Sequence, residues 1–174
     1  MYKLVLISMA VILFSSCSTN ENKSKETIYM SYNNTELDEW TGTYSVKKSD
    51  NAHSGKSVAF IDSATTYSMG YIKTIENISK TKLDSVVFSY WIFCKNDMAI
   101  AKTVISIDKA TDNKNVFWAG NPIKDKVKEY NKWVQISESF KLPANIDPKN
   151  ILKLYVWNNS KEEILLDDFK VEFY

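Results

Sequence analysis

Side chains that alternate between apolar and polar with a period of two recur along most of this chain, and that pattern rules out most folds. A β-strand sends successive side chains to opposite faces, whereas a helix repeats about every 3.6 residues. Residues 85–94 carry the clearest run, SVVFSYWIFC. Residues 102–108, 115–119, 133–140, 151–157 and 164–173 repeat the pattern, and 43–48, 56–61 and 69–75 carry shorter versions. These runs are rich in β-branched and aromatic residues and are bounded by Asn, Asp, Gly, Ser or Pro, which favour turns. Residues 124–130 offer a short helical turn without an apolar face. Many short strands and no long helix predict an all-β chain, an antiparallel β-sandwich of the jelly-roll kind.

Parity assigns the faces. Val86, Phe88, Tyr90 and Ile92 point inward, as do Val134, Ile136 and Phe140. Leu152, Leu154 and Val156 form a third inward set, and Phe169, Val171 and Phe173 a fourth. Trp91, Phe93, Trp133, Tyr155 and Trp157 then point away from the core, beside Gln135 and Lys153. Trp118 precedes Gly120, Asn121 and Pro122 and is placed near a loop.

The N-terminus breaks the pattern. Leu4 to Phe14 is apolar apart from Ser8, follows Lys3, and leads into Ser15, Ser16 and Cys17. A charged start, a short apolar run and small residues make a secretory signal. The run is too short to cross about 30 Å of hydrocarbon as a helix. Phe14, Ser15, Ser16 and Cys17 resemble the lipobox of bacterial lipoproteins, with Phe14 where that motif usually has Leu. The resemblance implies that residues 1–16 are cut away as a signal peptide. It also implies that Cys17 carries diacylglycerol and palmitate-type chains into a membrane, where several chains anchor more stably than one. Ser18 is not the Asp that holds some lipoproteins at the inner membrane, so the outer membrane is expected, with either face open. Residues 17–26 would be the lipidated Cys and a polar tether, and 27–174 a β-sandwich domain.

Loss of Lys3 with the signal peptide leaves acids and bases balanced. A neutral surface is unsuited to nucleic acid, whose binding rests on phosphate neutralisation. The chain has no Arg, so it lacks a bidentate clamp for carboxylate or phosphate. With Cys17 lipidated, only Cys94 remains, and one thiol makes no internal disulfide. Its place at the end of an apolar run suits a small core residue.

Four pieces of the chain resemble the jelly-roll carbohydrate-binding modules of the galactose-binding-like superfamily. They are Asn34 to Leu37 leading to Trp40; His53 to Val58; Trp133 to Ile136 continuing to Phe140–Pro143; and Leu165 to Val171 around Asp167 and Asp168. The resemblance implies a non-catalytic, carbohydrate-binding lipoprotein whose outward aromatics stack on sugar rings: Trp91, Trp133, Tyr155 and Trp157 together on one sandwich face beside Gln135 and Lys153, with Trp118 at a rim. It also implies a structural calcium, with Glu36 and Asp167 as side-chain ligands, a carbonyl near Lys56, and Asp38 as a substitute for Glu36. No cofactor is required. A buried Asp167 could equally be satisfied by backbone amides. The alternative on the same fold is a structural lipoprotein with a protein partner and no glycan. Enzyme chemistry is disfavoured: His53 is the single histidine and sits in a turn, and Asp167 and Asp168, as strand neighbours, face opposite ways.

Overall fold

The strands form where the alternation places them. The computed structural model describes residues 25–37 and 40–174. The signal peptide, Cys17, most of the tether and Asp38 lie outside the described residues. Ten strands follow in order: β1 (Tyr29–Asn33), β2 (Val46–Lys48), β3 (Ser57–Ile61), β4 (Tyr71–Thr74), β5 (Ser85–Cys94), β6 (Ala101–Asp108), β7 (Asn115–Pro122), β8 (Trp133–Lys141), β9 (Ile151–Asn158) and β10 (Ile164–Phe173).

They build two antiparallel sheets, an antiparallel β-sandwich. One has six strands in the order β2-β3-β10-β5-β8, with β1 also on β10; the other has four, β4-β9-β6-β7. β10 organises the larger sheet. β5 lies along one of its edges, while the other edge is shared. Ile164, Leu165 and Leu166 pair with β3, and Phe169 to Phe173 pair with β1. Between those partners the register shifts, and Asp168 takes a left-handed φ of 50°.

Parity predicts burial closely. β5 alternates half-buried and buried along all ten residues, and β9 does the same over its eight. Phe88, Tyr90, Ile92, Phe169 and Phe173 from one sheet meet Tyr71, Ile105, Ile107, Leu152 and Leu154 from the other in a single core. Tyr90 and Thr103 join hydroxyls at 2.6 Å across the two sheets, so the polar end of a buried tyrosine is satisfied. Cys94 is buried, and burial pushes its thiol up to about 12, which leaves it an unreactive core residue.

Three local expectations change. β1 was not among the expected strands. Only Val46–Lys48 of the run 43–48 is extended; Thr43–Ser45 forms a 3-10 turn after Gly42, whose φ of 87° turns the chain. The turn near residue 124 is a 3-10 turn, Ile123–Asp125, and it does have apolar anchors, because Ile123 and Val127 are both buried.

Candidate functional site

The outward aromatics do not share one face. Sequence parity distinguishes in from out but not one sheet from the other. β5 and β8 belong to the six-stranded sheet and β9 to the four-stranded sheet. Trp91, Trp133 and Gln135 therefore lie on one outer surface, and Tyr155, Trp157, Lys153 and Trp118 on the opposite one. The single face expected to carry Trp91, Trp133, Tyr155 and Trp157 together is corrected to two.

The register of the four-stranded sheet lays out its outer surface in rows. Tyr67 bridges to Trp157, which pairs with Lys102, which pairs with Pro122. In the next row Tyr155 pairs with Val104 and Val104 with Gly120. Gly70 closes that row, since a Cβ there would stand 3.2 Å from the Tyr155 Cβ. Two glycines and a valine make this row low. Trp118 uses the space: its ring lies over Gly120 so closely that an added Cβ would fall 2.6 Å from it. Val104 is fully buried although it points outward, as expected for a residue roofed by neighbouring rings.

The result is a tile of aromatic rings on an open surface. Trp118 meets Trp157 edge-on at 6.4 Å, and Tyr67 lies 6.5 Å from Trp157 with the ring planes 24° apart. Tyr67 also meets Tyr155 edge-on at 5.6 Å. Trp118 is 44% exposed and Tyr67 47%. Beside the tile, Thr41, Gly42, Tyr44, Tyr67, Ile72, Lys153 and Tyr155 line a depression of about 390 Å³. One end of the surface is polar. Asp108 accepts from Lys153 at 2.7 Å and from Asn115 at 2.8 Å, and Ser106 donates to it at 3.1 Å. Burial alone would raise the Asp108 carboxyl, but the Lys153 and Asn115 bonds outweigh it and hold it below the usual carboxylate range. At the other end, the Lys102 ammonium sits 5.7 Å from the Trp118 ring centre and 5.8 Å from that of Trp157.

The opposite surface is organised around His53. Its ring stacks on Trp91 at 4.0 Å and meets the edge of Trp133 at 5.6 Å; Trp133 in turn contacts Phe93 at 5.8 Å. These rings cover one another, which makes this group more closed than the tile. His53 Nδ1 lies 2.5 Å from Asp168 Oδ2. Ser54 Oγ donates to the other oxygen, Asp168 Oδ1, at 2.6 Å, and Tyr32 Oη donates to that Oδ1 as well. A serine, a histidine and an aspartate thus come together, but both hydroxyls address the carboxylate, not the imidazole. A triad needs the hydroxyl on the imidazole so that its proton can be taken. Beside them, Ser89 and Ser137, joined at 3.1 Å, floor a polar depression walled by Tyr32, Trp91 and Lys170.

Asp167 is fully buried where β10 changes partners. Its Oδ2 accepts the backbone N–H of His53 and of Ser54, each at 3.0 Å; its Oδ1 accepts that of Asp168 at 2.7 Å and the Thr35 hydroxyl at 3.3 Å. Glu36 Oε1 accepts the backbone N–H groups of Lys56 and Ser57, both at 2.7 Å. Calcium needs oxygens whose lone pairs face the ion. Asp167 spends both of its oxygens on hydrogen-bond donors, and Glu36 its Oε1, and a donor turns a positive end toward any cation. Among the described residues no three His, Cys, Asp or Glu side chains come together as a metal-binding group. Glu36, Asp167 and the backbone near Lys56 are thus brought together as a hydrogen-bonded clasp, and that arrangement does not fit calcium.

Four contributors to the tile escaped the sequence reading. Tyr67 precedes β4, Tyr44 sits in a turn, and Lys102 begins the run 102–108, for which sequence parity assigned no faces. Gly120 was read as a loop signal but lies within β7. The one available clue was the spacing of Trp118 and Gly120, two residues apart and hence on one face if the strand continues.

No protein-family model matches the chain, and no curated protein sequence matches it. Solved structures do. The CBM22-1 xylan-binding domain of Xyn10C from Paenibacillus barcinonensis superposes with a TM-score of 0.52 at 16% identity, covering 86% of this chain and 97% of that one. The CBM22-1–CBM22-2 tandem domain of the same protein gives 0.51 at 17% identity, covering 87% and 47%. The CBM22-1–GH10 modules of Clostridium thermocellum endo-1,4-β-D-xylanase 10B, solved with xylohexaose, give 0.50 at 11%, covering 74% and 24%. At such identities the likeness is one of fold: this chain shares the β-sandwich of these carbohydrate-binding modules.

Proposed function

We propose that this chain is a non-catalytic carbohydrate-binding protein, held to the outer membrane through lipid on Cys17 and a tether ending near residue 26. The observation that carries the binding reading is the open tile of Trp118, Trp157, Tyr67 and Tyr155. Sugar rings present a face of C–H groups that stacks on such rings, while nearby polar groups fix hydroxyls. Here Asp108, Asn115 and Lys153 supply donors and acceptors at one end. The fold shared with xylan-binding modules supports the same reading. Of the aromatic residues expected from sequence, Trp118, Tyr155 and Trp157 belong to this site; Trp91 and Trp133 pack with His53 on the other surface.

The test is an oligosaccharide panel read by calorimetry on the full-length chain. Binding is expected, and Trp157→Ala should weaken it about tenfold or more, because stacked aromatics dominate such interfaces. Trp91→Ala should leave affinity within about twofold, as should chelation of calcium. Loss in Trp91→Ala with Trp157→Ala unaffected would move the site to the other surface. A folded chain that binds no glycan would favour a protein partner on the same fold.

The anchor has its own readout. Cys17→Ser should abolish incorporation of labelled palmitate and shift the protein from the membrane fraction to the soluble one. Retention on the membrane without label would refute lipidation at Cys17.

A further inference from the structure

Building on the glycan reading, we infer that the tile selects glycans bearing carboxylate groups, such as uronate-containing polysaccharides, and that Lys102 is the group that recognises the carboxylate. Two cations stand on this outer surface along the paired strands β6 and β9. Lys153 is committed to Asp108 at 2.7 Å. Among the described residues, no carboxylate lies within ion-pair distance of Lys102. The one carboxylate on the tile's polar end is already paired with Lys153, and the Lys102 ammonium at the other end has no carboxylate partner among the described residues.

The position of that charge matters as much as its sign. The Lys102 ammonium lies nearly equidistant from the two ring centres, 5.7 Å from Trp118 and 5.8 Å from Trp157. A pyranose stacked on either indole carries its exocyclic carbon at the ring edge, level with the sugar rather than above it. The ammonium stands over both rings, on the side where a sugar stacks, so an exocyclic carboxylate of a sugar seated beside it comes within its reach. An ammonium is a compact donor without the fork of a guanidinium, so it asks only for an acceptor of opposite charge in reach. A neutral sugar offers hydroxyls there and gains an ordinary hydrogen bond; a uronate gains a charge-assisted one.

Paired oligosaccharides test this: members of equal backbone length, one neutral and one carrying glucuronate or galacturonate. At low salt the full-length chain should bind the acidic member about tenfold more tightly than its neutral partner. The preference should shrink as salt screens the pair. Lys102→Gln should erase it, bringing the acidic member down to the affinity of its neutral partner, and Lys102→Arg should retain most of it. Lys48→Gln, on an exposed strand of the other sheet, should change nothing. Equal affinity for the two members, or a preference that survives Lys102→Gln, overturns the carboxylate inference and leaves the glycan reading standing. Binding to neither member of any pair overturns both.

Discussion

Replacing Asp167 by alanine is expected to cost about 3–5 kcal/mol of stability, the range for stripping one partner from a buried charged network. The reason lies in its position. β10 gives one edge first to β3 and then to β1, and at the handover no strand continues the ladder. Three backbone N–H groups point into that gap, and the Asp167 carboxylate takes all three. Alanine would leave them without acceptors in a place closed to solvent, and unmet donors carry their full desolvation penalty. Asp167→Asn is the sharper variant. Its amide can accept through one oxygen only, and its NH₂ must confront one of the N–H donors, so about 2–3 kcal/mol should be lost at nearly unchanged volume. Urea unfolding checks both. A midpoint unchanged in the alanine variant would mean that water reaches the gap and replaces the carboxylate.

Trp40→Ala is expected to be comparably damaging, about 3–5 kcal/mol. Trp40 is 4% exposed and packs on Tyr71 at 5.4 Å, Phe169 at 5.7 Å and Phe88 at 6.3 Å, so it touches both sheets. Its indole Nε1 donates to Ser31 on β1 at 3.2 Å, which pins the edge strand to the core. Trp118→Ala, by contrast, removes a ring that is nearly half exposed and should move stability by about 1 kcal/mol or less. Thermal unfolding of the two variants side by side separates a tryptophan that makes the fold from one held out on its surface. Similar losses in both would mean the tile is itself a structural layer.

The sequence made the inside of this molecule legible because strand parity is a local property. Alternation along residues 85–94 and 151–157 shows which side chains are buried without any knowledge of neighbours. It says nothing about which strands pair, since pairing is decided between residues far apart. That is why Trp91 and Trp157, both read correctly as outward, were wrongly expected on one face. β1 was missed for a different physical reason. Its exposed positions carry Met30 and Tyr32, while Ser31 and Asn33 point inward. The polarity is inverted because the inward residues work as hydrogen-bond partners, Ser31 to Trp40 and Asn33 to the loop at Thr35 and Leu37. His53 was read as a turn residue, and its N–H ties that turn to Asp167 on β10. Its stack on Trp91 was invisible because the two are brought together only by the completed sheet. Lys102 opens the run 102–108, whose faces could not be assigned without its neighbours, so its place between two indoles could be seen only with the strands assembled.

The sharing of β10 also bears on how such a chain comes into being. β1, β3 and β5 all wait for the same late strand, and Tyr29 finds its partner only in Phe173. Contacts so distant in sequence slow folding, because loop closure must come before any reward from pairing. A ribosome that has released everything through β9 has still produced a chain with three open strand edges and a core that lacks Leu166, Phe169, Val171 and Phe173. Such an intermediate is sticky, because open strand edges and exposed apolar side chains invite pairing with other chains. The topology thus postpones the native state of this sandwich until β10 has been made, and that strand acts as the latch that commits it.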